Sequence, residues 1–260
     1  MKRKYVFFDI DHTLVSHAGG SHIPPETREA VRLLREHGHV PAIATGRGAF
    51  LAQRVADELG IDLLVCSNGA QVLNAGEELC SVPFPAHALA SFREAAAQNP
   101  KYAAALDAHY LYTCDRQWEF EEYFNAQAGY PCVRPLEEMK EAILCYLMLP
   151  PPLPGSCGLF AAPPEDVLLE PMSTFVEARA AGTSKWLGIR RVLEHLGASI
   201  QDAVTFGDGP NDVEMLRGAP LSVAVGGAHG RAREAAKFLG GDIVEGGILR
   251  ACTAIGLLPG

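Results

Sequence analysis

The first 66 residues alternate between two hydrophobic periods, and this rhythm limits the possible folds more than any other feature of the chain. Lys4 to Phe8 is a short β-rich run that ends in Asp9-Ile10-Asp11. Pro24 and Pro25 open a helical stretch with an apolar stripe of Ala30, Val31, Leu33 and Leu34, closed by Gly38. Val40 to Ala44 is a second strand, a second helix runs to Leu59 before Gly60, and Leu63 to Cys66 is a third strand. Strands separated by helices predict parallel βαβ units. The rhythm returns after Gly182. Thr183 or Ser184 caps a helix from Lys185 to Leu196, and Ala203 to Phe206 is a buried strand. Another helix follows Gly207–Asp212, and strands at Leu221–Val225 and Ile243–Val244 complete the set. The expected class is α/β: a doubly wound, Rossmann-like, three-layer core around a parallel sheet.

Between these halves the pattern differs. Gln71–Leu73 and Glu78–Cys80, separated by Asn74-Ala75-Gly76, predict a hairpin. From Pro83 to about Arg179 the spacing predicts helices at Ala86–Gln98 and Gln117–Ala128. Strands are expected near Tyr102–Asp107, Tyr110–Thr113, Ile143–Leu149, Val167–Glu170 and Thr174–Ala178. Pro150–Pro154 must be irregular, because consecutive prolines donate no backbone hydrogen bonds. The expected organisation is a core from residues 1–82 and 180–260 with an α+β module inserted at 83–179.

Composition narrows the partners. A formal charge of −9 over 260 residues disfavours binding to a phosphate backbone, so nucleic acid is not expected. Tyr5 to Phe8 is too short for a signal core and no run suits a membrane span, so a cytoplasmic protein is expected. Seven cysteines, odd in number and without a CxxC pair, read as reduced thiols.

Four segments could carry chemistry. In an extended strand end, Asp9 and Asp11 would point the same way and require a counter-charge, which a hard divalent cation supplies. A solvated strand end fits equally well, whereas a calcium loop fails because Gly20 stands where its glutamate belongs. Thr45-Gly46-Arg47 suits phosphate oxygens at a helix start, or is a plain cap. Lys185, at the unfavourable end of a helix dipole, is either solvated or aimed at an anion. Gly207-Asp208-Gly209-Pro210-Asn211-Asp212 resembles a metal loop and is acidic for a plain turn. All four fall at C-terminal strand ends or the adjoining helix starts, which converge at one edge of a doubly wound sheet.

In this order the motifs resemble the haloacid dehalogenase (HAD) superfamily, specifically its Cof-type phosphatase branch. Asp9-Ile10-Asp11-His12-Thr13-Leu14 is similar to the nucleophile motif, Thr45-Gly46-Arg47 to the second motif, Lys185 to the third and Gly207–Asp212 to the fourth. Ser67-Asn68-Gly69-Ala70 matches the segment that follows the third strand in that branch. The resemblance implies an Mg²⁺-dependent phosphatase acting on a small phosphorylated metabolite, as a monomer or homodimer, with the inserted module as a cap that supplies selectivity. It makes Asp9 the nucleophile and Asp11 the acid and base. Thr45, Gly46, Arg47, Asn68, Lys185 and Asn211 become substrate-binding residues. Mg²⁺ is assigned to Asp9, the backbone carbonyl of Asp11, Asp208 and Asp212. His12 stands where the branch usually has glycine, and Gly227 where it usually has asparagine. A phosphomutase with the same intermediate is one alternative. A non-catalytic phospho-binding regulator of the receiver type is another, although receivers are small single domains without an insertion.

Overall fold

The computed structural model describes residues 2–98, 103–114, 121–139, 147–149, 163–171 and 176–260. The Pro150–Pro154 run, Cys145 and Cys157 lie outside the described residues, as do parts of the helix expected from Gln117 and of the strands expected around Tyr102, Ile143 and Thr174. The chain divides into two compact units, one of residues 1–46, 55–79 and 184–260, the other of 47–54 and 80–183.

The first unit is built on an eight-stranded sheet in the order β14-β13-β12-β1-β2-β3-β4-β5. Strands β1 (Tyr5–Phe8), β2 (Val40–Ala44) and β3 (Leu63–Cys66) pair in parallel. So do β12 (Ala203–Gly207), β13 (Leu221–Ala224) and β14 (Phe238–Leu239), with β12 against β1. Val6, Phe7, Phe8, Val65, Val204 and Phe206 are fully buried, as expected of strands covered on both faces. The chain moves outward from β1 through β2 to β3, then returns to β12 and moves the other way. Right-handed crossovers in opposite directions place their helices on opposite faces. Accordingly, the helix Pro25–Glu36 packs against Gly247–Ala254, while Lys185–His195 packs against Val213–Gly218 and that helix against Gly230–Ala235. The reversal between β1 and β12 is the position where ligands bind in such sheets.

β4 (Gln71–Asn74) runs antiparallel to β3, and the turn to β5 (Glu77–Ser81) uses Ala75 and Gly76, both at positive φ. One expected strand is absent. Ile243–Glu245 is a 3₁₀ turn, because the Asp242 carboxylate accepts from the Val244 N–H at 3.0 Å and Gly246 ends the turn at φ 75°. The apolar pair resembled a strand, but the outermost strand is Phe238–Leu239.

Among the described residues the second unit holds a six-stranded sheet of β6 (Ala104–Leu106), β7 (Leu111–Thr113), β8 (Val133–Pro135), β9 (Leu147–Leu149), β10 (Val167–Pro171) and β11 (Val176–Ala180), in the order β10-β11-β9-β6-β7-β8. Among the described strands only the pair formed by β7 and β8 is parallel; β8 has no counterpart in the sequence reading. The helix Ala86–Gln98 supplies Ala88, Phe92 and Ala96 to its core. Residues 47–54, assigned to the core from sequence, group here because Phe50 and Leu51 pack with Leu106, Leu111 and Cys132.

One close approach fixes the helix that starts at Lys185. Ser67, Asn68 and Gly69 all take positive φ, at 49°, 49° and 85°, a left-handed turn that costs about 1–2 kcal/mol per non-glycine residue. A Cβ at Gly69 would lie 2.0 Å from the Ser184 carbonyl oxygen, and one at Gly188 would lie 2.4 Å from Val65 Cγ1. Gly188→Ala is therefore expected to destabilise the protein by about 1–3 kcal/mol, although alanine normally favours a helix. A thermal melt showing equal or greater stability would refute this packing.

Candidate active site

β1 ends at Phe8, and its continuation turns over Ile10, whose carbonyl accepts the N–H groups of Leu14 and Val15. Asp9 sits at the start of this turn, 7% exposed, with its N–H donating to the Phe206 carbonyl on β12. Lys185 is the first residue of its helix, behind a Ser184 cap whose hydroxyl accepts from the Leu187 N–H. Its ammonium is buried, with Nζ 2.7 Å from Asp9 Oδ1 and 2.6 Å from Asp212 Oδ1. The second oxygen of Asp212 accepts the N–H groups of Asp208 and Gly209, each at 2.8 Å. Gly207 is required here, since a Cβ would lie 2.5 Å from the Asp212 carboxyl carbon. Thr13 donates its hydroxyl to Asp208 Oδ1 at 2.9 Å.

Charge in this cluster is unbalanced. Burial pushes the Asp9 carboxyl well up; Lys185 opposes this, while Asp212, Asp208 and Asp11 add to it. Burial and then Asp212 push Asp208 up to about 6. Burial pulls the Lys185 ammonium down, but Asp212 and Asp9 outweigh it and leave it above the ordinary lysine range. One cation thus serves several carboxylates. Asp9, Asp208 and Asp212 each offer an oxygen, and these lie within 4.8 Å of one another. An all-oxygen, carboxylate-rich donor set with excess negative charge fits a hard divalent cation.

The other expected residues fall into three groups. Thr45 is buried at the end of β2; its N–H donates to Val65 and its carbonyl accepts from Asn68. Asn68 Oδ1 accepts from Asn211 Nδ2 at 3.1 Å, and a Cβ at Gly46 would touch both amides, so these three positions lie together. Asn211 thus meets Asn68. Arg47 belongs to the second unit, where its guanidinium donates to Gln127 Oε1 at 3.0 Å. Asp11 also differs from the strand-end expectation: the backbone turns before it, its carboxylate lies outside the three-aspartate cluster, and Oδ1 is 2.8 Å from His17 Nε2. His12 takes φ 58°, a left-handed backbone that glycine adopts without strain. Gly227 faces open space. Sequence reasoning placed Thr13 in the nucleophile motif without an individual role and gave no role to His17. Nothing in the strand–helix rhythm marks them.

A family model of haloacid dehalogenase-like hydrolases matches residues 6–146 and 162–252. The chain belongs to this family. A protein of Bacillus subtilis (strain 168) named "Putative phosphatase YkrA" is 31% identical over 99% of this chain and 100% of its own length. A hypothetical protein from Geobacillus kaustophilus HTA426 superposes with a TM-score of 0.83 at 31% identity, covering 98% of this chain and 100% of its own. The HAD subclass IIB sugar phosphatase BT4131 superposes equally well, 0.83 at 26% identity over 98% and 100%. This HAD-like hydrolase is accordingly a Cof-type phosphatase, a class that uses a divalent metal and acts on phosphorylated small molecules. No helix among the described residues is long and apolar enough to cross a membrane.

The upward shift of the Asp208 carboxyl has a defined sign for stability. A carboxyl whose folded value is raised favours folding below its unfolded value near 4, and that contribution is lost as pH rises through about 6. In EDTA, Asp208→Asn is expected to stabilise the protein by about 1–3 kcal/mol at pH 7, with the gain vanishing near pH 4. It should also reduce any rise in Tm that a divalent cation gives the parent. Calorimetry across pH checks both, and a gain independent of pH would contradict the charge imbalance.

Proposed function

We propose that this enzyme hydrolyses a small phosphomonoester, a sugar phosphate or similar metabolite, through an aspartyl-phosphate on Asp9 with Mg²⁺ as the cation. The observation that carries the reading is the buried Lys185 ammonium 2.7 Å from Asp9 Oδ1, beside two further carboxylates at the sheet reversal. The similarity to a sugar phosphatase supports the substrate class.

Asp9 attacks phosphorus and the bond to the ester oxygen breaks, leaving the phosphoryl group on the Asp9 carboxylate. Asp11 gives the departing oxygen its proton. Asp11, now a carboxylate, takes a proton from water as that water attacks phosphorus, releasing inorganic phosphate and restoring Asp9. Lys185 and Thr45, with the Gly46 backbone, Asn68 and Asn211, stabilise charge on the phosphoryl oxygens. Arg47, also expected to bind substrate, belongs to the second unit, to which selectivity is assigned. Asp9, Asp208, Asp212 and the Asp11 carbonyl would hold Mg²⁺, which supplies positive charge to the transferring group.

Asp9→Asn is expected to abolish turnover of a metabolite phosphate panel while leaving the melting transition cooperative. Activity above ~1% of the parent would discard the nucleophile assignment. Chelation with EDTA should stop hydrolysis and Mg²⁺ restore it, so full activity after chelation would remove the metal from the reaction.

A further inference from the structure

The segment after the first motif contains a hydrogen-bonded chain that the reaction as written does not use. Ser16 and His22 exchange both backbone hydrogen bonds, at 2.9 and 3.0 Å, and close a small loop over residues 17–21. The loop tip is Gly19-Gly20, both at positive φ with open space around them. At its base His17 and Ser21 face each other, with His17 Nδ1 2.8 Å from Ser21 Oγ. The other ring nitrogen, Nε2, lies 2.8 Å from Asp11 Oδ1. The His12 ring meets the His17 ring edge-on, with centroids 4.9 Å apart. Ser21, His17 and Asp11 therefore form one line across the base of the loop.

We propose that His17 is a positioning residue for the acid–base step: it holds Asp11 Oδ1, so that Asp11 exchanges its proton through Oδ2. The inference rests on the reading of Asp11 as acid and base. A carboxylate oxygen only accepts, so Nε2 carries hydrogen and donates to Oδ1. In the neutral ring Nδ1 is then the acceptor, and the Ser21 hydroxyl donates to it. With the Asp11 proton on Oδ2, Oδ1 is a carbonyl oxygen and accepts the same bond. One arrangement of His17 and Ser21 thus serves both forms of Asp11, the acid that loses a proton to the ester oxygen and the base that regains it from water. Asp11 lies beyond the end of β1, after the turn over Ile10, with its side chain partly exposed.

The test uses a series of phosphate monoesters, from p-nitrophenyl phosphate through phenyl phosphate to an alkyl phosphate such as glycerol phosphate. kcat/KM reports the step in which the ester oxygen leaves, and poor leaving groups depend most on a proton donor. Asp11→Asn should steepen the dependence of kcat/KM on leaving-group acidity. His17→Ala should steepen it in the same sense, losing about 10-fold on the alkyl ester but less than about 2-fold on the p-nitrophenyl ester, the scale of one hydrogen bond. His17→Gln keeps an N–H donor and should recover much of the loss. The double variant Asp11→Asn/His17→Ala should be no steeper than Asp11→Asn alone. An equal loss on every ester, or no loss, would overturn the proposal. An unchanged slope in Asp11→Asn would instead overturn the acid reading of Asp11, and the inference with it.

Discussion

The arrangement depends on one buried ammonium. Lys185 is among the most deeply buried side chains of the protein, and it lies within hydrogen-bond distance of Asp9 and Asp212. Burying a charge costs several kcal/mol unless partners compensate it, and removing one member of such a pair is more costly than never having it. The surrounding backbone is shaped to keep these partners in place. Ser184 caps the helix, Gly188 and Gly69 let it approach β3, and Gly207 leaves room for Asp212 to fold back onto its own loop.

The same cluster also shows why stability and chemistry pull apart here. Lys185 cannot neutralise Asp9, Asp208 and Asp212 together, so the cation-free protein carries surplus negative charge in a dry place. That surplus is what a divalent cation can neutralise, and until it does so an anionic phosphoryl group is repelled. Natural sites commonly accept such local instability because the rest of the fold offsets it.

Much of this was legible in the sequence. Alternating strands and helices gave the parallel sheet, and the positions of Asp9, Thr45, Lys185 and Asp208 at strand ends or helix starts follow from that pattern alone. What escaped was set by side-chain hydrogen bonds or by packing. Ile243–Val244 is a turn because Asp242 captures a backbone N–H, which hydrophobic periodicity does not register. Asp11 separates from Asp9 because the strand stops at Phe8 and the chain folds around the Ile10 carbonyl. Residues 47–54 leave the core because Phe50 and Leu51 have apolar partners more than fifty positions away, which no local window reveals.

The register of the central sheet has a consequence for how the molecule is made. Tyr5 pairs with Ala203 and Phe8 with Phe206, so about two hundred residues must be synthesised between β1 and its second neighbour. Until then the ribosome-bound polypeptide presents Val6, Phe7 and Phe8 along an unpaired edge, the kind of surface that sticks to other nascent chains. Closing so distant a pair is intrinsically slow. Production yield in a host cell should therefore depend on chaperone supply more than the melting temperature of the finished protein would suggest.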